Sequence, residues 1–113
     1  MSRINSFLEL AVNQGGSDLH LIAGQMPRIR INGVLHTVRF RELSQEDMEL
    51  ILGEFMSARA RENLEAHLAA DFAYEVEGLG RFRVNAYRHT QGLAAILRAI
   101  PSEIKSLGEL GAP

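Results

Sequence analysis

The sequence predicts an α+β fold, a mostly antiparallel sheet of about six strands with helices packed on one face. Three observations carry this. Residues 80–101, GRFRVNAYRHTQGLAAILRAIP, read as two strands joined by a short turn. Asn32-Gly33, the strongest short hairpin signal, joins two further apolar runs. Between these hairpins, residues 45–69 change to helical periodicity. The resulting order is α-β-β-β-α-α-β-β-β, with no internal repeat and no low-complexity segment.

Residues 4–14 form the first helix. Ile4, Phe7, Leu8 and Ala11 fall at helical spacing, and Gly15-Gly16 ends it. Ser17 to Ile22 is a strand with Leu19 and Leu21 inward and Asp18 and His20 outward, on a solvated surface. Ala23 to Pro27 is a turn. Arg28 to Ile31 and Val34 to Phe40 are strands in which Ile31 faces Val34 and both pack inward. Ser44 caps the next helix, and Glu46 and Asp47 in its first turn suit the helix dipole. Met48, Ile51, Leu52, Phe55 and Met56 make its apolar stripe. Ser57 caps a third helix, Ala58 to Ala69, which carries Leu64 and Leu68. Its Arg61–Glu65 and Arg59–Glu62 spacings suit surface ion pairs.

Asp71 to Glu77 is the next strand, with Phe72, Tyr74 and Val76 on one side. Gly78-Leu79-Gly80 reads as a three-residue turn. It would set Val76 against Phe82, Tyr74 against Val84 and Phe72 against Ala86. On the polar side, Glu77 then meets Arg81 and Glu75 meets Arg83. In the last hairpin His89-Thr90-Gln91-Gly92 is the turn. Pairing Arg88 with Leu93 sets Ala86 against Ala95, Val84 against Leu97 and Phe82 against Ala99. A one-residue slip would mix the apolar and polar faces. The same register puts Arg83 directly opposite Arg98, a destabilising like-charge pair that calls for an acidic group nearby. Residues 1–101 read as one domain. Residues 102–113, SEIKSLGELGAP, read as the start of a linker at a domain boundary.

A chain of 113 residues with 46% apolar and 23% charged residues fits one soluble globular domain with a modest core. Its formal net charge of −2 indicates neither a basic nucleic-acid patch nor an acidic tail, and five phenylalanines and two tyrosines offer few stacking platforms. No cysteine occurs, so no disulfide or thiolate site can form. No apolar run reaches membrane-spanning length, the N-terminus lacks a signal-peptide pattern, and a cytoplasmic location is the expectation. Arginine supplies 11 of the 12 basic residues. That bias suits bidentate contacts to carboxylate or phosphate, and GC-rich codon usage also produces it.

His20, His36, His67 and His89 do not fall at metal-ligand spacing, so no metal site is expected. Ser17, Asp18 and His20 lack a nucleophile elbow or oxyanion donor. Gly78-Leu79-Gly80 opens into a strand, and no Walker A pattern is present, so these residues alone form no P-loop. The arginines Arg81, Arg83 and Arg98 remain. Arg81 is accounted for by Glu77 on a solvated face, while for Arg83 a solvated and a functional reading both stand. Arg98 lies in an otherwise apolar strand with no acidic residue facing it, so its partner would come from elsewhere. A ligand phosphate or a neighbouring carboxylate would serve.

SDLHL at 17–21, PRIRINGVL at 27–35, DFAYEV at 71–76, GRFRVNAY at 80–87 and ILRAIP at 96–101 occur in this order. Together they resemble the N-terminal domain of the PilT-type ATPases, the type IV pilus retraction motors of the type II/IV secretion ATPase superfamily. The likeness covers essentially the whole chain, and HTQG at 89–92 does not separate the PilT and PilU branches. The resemblance implies a PAS-like fold and a hexameric cytoplasmic parent, peripheral to the inner membrane at the pilus base. That parent would use ATP and Mg, in a RecA-like domain beyond residue 113. It implies RecA-like domains and the pilus machinery as partners, with no nucleic acid. It also implies that Arg83 and Arg98, and more weakly Arg81, contact the phosphates of ATP in the assembled ring. A PAS-like sensor module, holding a small molecule between sheet and helices, is the alternative.

Overall fold

A computed structural model describes residues 3–90 and 92–100. The linker expected at 102–113 lies outside the described residues, as does Pro101. Helix α1 spans Arg3–Asn13 and buries Ile4, Phe7, Leu8 and Ala11. It stops because Gly15 takes a left-handed φ of 76°. The Gly16 N–H then donates to the Ala11 carbonyl at 2.8 Å and the Gly15 N–H to Val12 at 3.0 Å, a Schellman closure. Three strands follow, β1 Asp18–Ile22, β2 Arg28–Ile31 and β3 Val34–Thr37.

Helix α2, Gln45–Phe55, opens with a reciprocal capping box. Ser44 Oγ accepts from the Asp47 N–H and Asp47 Oδ2 from the Ser44 N–H, both at 3.0 Å. Ser57 caps α3, Ala58–His67, with its Oγ accepting from the Ala60 N–H at 3.1 Å. The chain closes with β4 Ala69–Val76, β5 Gly80–His89 and β6 Gly92–Ile100. The strands form one antiparallel sheet in the order β3-β2-β1-β6-β5-β4. With β1 and β6 side by side at its centre, it meets the α+β, PAS-like expectation.

The helices cover one face of the sheet. Leu19, Leu21, Ile29, Phe82, Val84, Ala86, Ala95 and Leu97 point into the core there and are buried. Tyr74 ties β4 to α1 through a 2.6 Å hydrogen bond from its hydroxyl to Asn5 Oδ1. The β5–β6 register is the expected one at every pair from Phe82–Ala99 to Arg88–Leu93.

Four expectations are corrected. The β4–β5 register is displaced by two residues, with Val76 opposite Gly80, Tyr74 opposite Phe82 and Phe72 opposite Val84. The loop is Glu77-Gly78-Leu79, closed by the Leu79 N–H on the Val76 carbonyl, and Gly80 already belongs to the strand. Strand β3 stops at Thr37, and Val34 is 57% exposed, since β3 is the sheet's edge. Helix α3 ends two residues short of Ala69. Leu68 turns left-handed with φ 64° to feed β4, so it is exposed and leaves the apolar stripe. The Arg61–Glu65 and Arg59–Glu62 ion pairs do not form among the described residues.

Candidate functional site

The face of the sheet turned away from the helices carries the expected arginines. Strand register places Arg30, Asp18, Arg98 and Arg83 in one row across β2, β1, β6 and β5. The next row holds Arg28, His20, Ile96, Asn85 and Asp71, and a further one Ile100, Arg81 and Glu75. Alternation dictates this set, since every second residue of each strand faces the same way. Five arginines against three carboxylates make the face positive in a chain whose net charge is −2.

Arg83 and Arg98 are directly opposite, as the sequence predicts, and each is held by an aspartate on its far side. Arg98 Nε donates to Asp18 Oδ2 at 3.2 Å. Arg83 donates to Asp71 through Nε at 3.2 Å and Nη2 at 2.9 Å. The two like charges are drawn toward opposite neighbours, β1 for Arg98 and β4 for Arg83. Both guanidinium side chains stay open to solvent, 71% exposed for Arg98 and 68% for Arg83. Among the described residues, nothing accepts from the two terminal nitrogens of Arg98. Arg81 lies across from Glu75 without an ion pair among the described residues.

The acidic residues are therefore not the expected ones. Glu75 was expected beside Arg83 and Glu77 beside Arg81, but the two-residue register shift gives Arg83 to Asp71. The expectation that Arg98 has no acidic partner is overturned by Asp18, its direct neighbour on β1. Asp18 was also expected on a solvated surface, yet it is 6% exposed. Strand alternation gave Asp18 the right face. Its pairing with Arg98 depends on β1 lying beside β6, which no local sequence signal announces. Arg28 and Arg30 were missed as members of the face for the same reason.

The electrostatics follow the pairs. Burial pushes the Asp18 carboxyl up, but the neighbouring Ser17 hydroxyl, the Arg98 hydrogen bond and the charges of Arg98 and His20 outweigh it. The net result lies below the ordinary carboxylate value. The Arg83 hydrogen bond holds Asp71 down, and Asp71 raises Arg83 in return. His20 is pushed down chiefly by burial. Asp18 opposes that, while Arg30, Arg28 and Arg98 add to it. Its Nε2 is buried without a partner among the described residues. No group of three His, Cys, Asp or Glu among the described residues could hold a metal. The crevice where Leu8, Gly16, Phe82 and Leu97 meet has no room for a water-sized sphere.

No protein-family profile matches the chain. The type IV pilus retraction ATPase PilT of Pseudomonas aeruginosa is 37% identical over 108 residues, 96% of this chain and 31% of PilT. The type IV pilus ATPase PilU of the same organism is 37% identical over 107 residues, 94% of this chain and 28% of PilU. A twitching motility protein of Neisseria gonorrhoeae is 36% identical over 110 residues, 97% of this chain and 29% of that protein. Among solved structures, the pilus retraction motor PilT with bound ADP superposes with a TM-score of 0.83 at 35% identity. The match covers 100% of this chain and 33% of that one. The ATPase DotB of Legionella pneumophila has a TM-score of 0.76 at 23% identity over 97% of this chain and 31% of its own, a likeness of fold. The chain spans about a third of the length of these relatives. Along nearly its whole length, it is thus a homologue of the N-terminal part of the PilT/PilU-type pilus ATPases of the type II/IV secretion superfamily.

Proposed function

We propose that this chain serves as the N-terminal domain of a cytoplasmic, hexameric ATPase that drives type IV pilus retraction at the inner membrane. In it, the chain contributes to ring assembly and supplies arginines to the phosphates of bound ATP. The RecA-like domains of its own or a neighbouring subunit are the partners that would bring nucleotide and Mg to this face. The observation that carries the reading is the open guanidinium of Arg98. Its terminal nitrogens face solvent while its Nε is fixed on Asp18.

The residues present fit a phosphate. A guanidinium offers planar, paired donors to anionic oxygens. Arg98 has two such nitrogens to give, and Arg83 keeps Nη1 outside its contact with Asp71. Arg81 adds positive charge one row away. ATP supplies the transferable phosphoryl group, whose charge spreads over its equatorial oxygens as the bond to the leaving group loosens. Arg98 and Arg83 bind and orient that end and stabilise the charge that develops on it.

The test is Arg98→Ala in the complete ATPase, read by phosphate release per folded oligomer. We expect kcat to fall by about 10³-fold, the lower end of the effect of arginine fingers, while KM for ATP changes far less. Unchanged turnover per folded oligomer would make Arg98 a structural residue and end the assignment.

A further inference from the structure

We infer that Asp18 is the positioning residue for Arg98: a buried carboxylate that grips the arginine by Nε and so presents its two terminal nitrogens outward. This rests on the reading of Arg98 as a phosphate-contacting group. Asp18 is the one buried charged residue among the described residues. It stands in register between two arginines, Arg30 on β2 and Arg98 on β6. Arg30 is engaged elsewhere, its Nη1 donating to the Gly33 carbonyl at 3.0 Å, and the Asp18 ion pair goes to Arg98.

The carboxylate itself is fixed. Asp18 begins the central strand β1, and the residue before it is fastened on both sides. The Ser17 N–H donates to the Arg30 carbonyl at 2.9 Å, and the Ala99 N–H donates to the Ser17 carbonyl at 3.0 Å. An exposed arginine with no anchor would sample many rotamers, at an entropic cost when it binds. Held at Nε by a carboxylate on a rigid strand, it loses that freedom before binding. The contact uses Nε alone, so the ion pair does not compete for the terminal nitrogens. Asp71 engages Arg83 from the opposite flank but is itself 46% exposed and takes Nη2 as well, which makes it a looser and more occluding anchor.

Three variants of the complete ATPase test this. Asp18→Asn keeps the shape and removes the charge; it should lower kcat by up to about 10²-fold, the scale of a misplaced catalytic group, with a smaller change in KM. Combined with Arg98→Ala, it should cost nothing further in kcat, because both changes remove one contribution. Arg98→Lys keeps an ion pair with Asp18 but holds its one ammonium there, with no planar pair of nitrogens to present outward. Stability should be retained and kcat should fall as far as in Arg98→Ala. A readout free of nucleotide comes from the 113-residue chain. Its Arg98 Nε–H should give a slowly exchanging ¹⁵N signal that sharpens away from bulk arginine, and Asp18→Asn should return it to the exposed arginine shift and exchange rate. A full-kcat Asp18→Asn enzyme beside a crippled Arg98→Ala enzyme would overturn the positioning role, as would an Arg98 Nε–H unchanged by the substitution. Full kcat in both Arg98 variants would instead remove the phosphate reading on which the inference rests. If Asp18→Asn does not fold, Arg98→Lys still decides: stability retained with full kcat overturns the proposal.

Discussion

Replacing Arg98 by Ala in the 113-residue chain has opposite expected effects, depending on what is known of its surroundings. From strand pairing alone, Arg98 faces Arg83, and its loss should relieve a repulsion of a few tenths of a kcal/mol. The structure reverses the sign, because Arg98 is also the partner of Asp18, which is 6% exposed. Removing one partner of a buried pair leaves a desolvated charge, at roughly 3–5 kcal/mol where both groups are deeply buried. Arg98 is not; its side chain is 71% exposed, so water screens the pair and can partly take its place. A discounted cost of about 1–2 kcal/mol remains after the relieved repulsion is offset. With a urea slope of about 1–3 kcal/mol per molar, the midpoint should fall by about 1 M.

The pH dependence identifies the cause. In the native chain, the Asp18 carboxyl lies below its ordinary value of 3.8, so its ionised form contributes stability above that value and loses it as pH falls through the lower folded value. In the alanine variant the burial that raises the carboxyl persists, opposed only by Ser17 and the charge of His20, so the folded carboxyl sits higher than in the native chain. A group raised in the fold contributes when protonated and loses that contribution as pH rises. The gap between the two chains should therefore be widest near neutral pH and close as pH falls through about 4. Urea titrations followed by far-UV circular dichroism at pH 7 and at pH 3.5 measure it. Equal midpoints at pH 7, or a gap of the same size at both pH values, would show that Asp18 does not depend on Arg98.

Other substitutions and one negative test probe the scaffold. Gly16→Ala would drive a Cβ onto the Ile29 side chain and close to the Ala11 and Arg30 carbonyls. It should cost about 1–3 kcal/mol by overpacking, seen as a lowered Tm. Leu97→Ala, at a position 1% exposed on the central strand β6, should cost about 2–5 kcal/mol in urea unfolding. The 113-residue chain should hydrolyse no ATP in a phosphate-release assay, because it holds no Walker A loop.

Most of the fold is legible in the sequence because its signals are local. Ser44 announces the N-cap of α2, and Gly15-Gly16 the end of α1. Period-two alternation in β5 excludes a one-residue slip against β6, which would turn Arg83 and Asn85 into the core. Elements set by non-local contacts are not legible in this way. The strand expected to reach Phe40 ends at Thr37, on the open edge of the sheet. Leu68 was given to the stripe of α3 although the chain must reverse there to reach β4.

The instructive failure is the β4–β5 register, because it misplaced no apolar residue. A shift of two keeps every side chain on its face. Phe72 and Tyr74 still point toward the helices, and hydrophobic patterning cannot distinguish the two pairings. What changes is which carboxylate stands beside which arginine. Under the expected pairing Glu75 neutralises Arg83; under the observed one Asp71 reaches it diagonally from one row away. The two pairings differ in a turn, with Gly80 either closing the loop or opening the strand, and glycine permits both. Asp18 was hidden by a separate limit. Its partner lies 80 residues away, across a contact between the first and last strands. The arginines of the site can thus be read from alternation within their own strands. The aspartates that aim them depend on which strands are neighbours and in what register, so that half of the site belongs to topology.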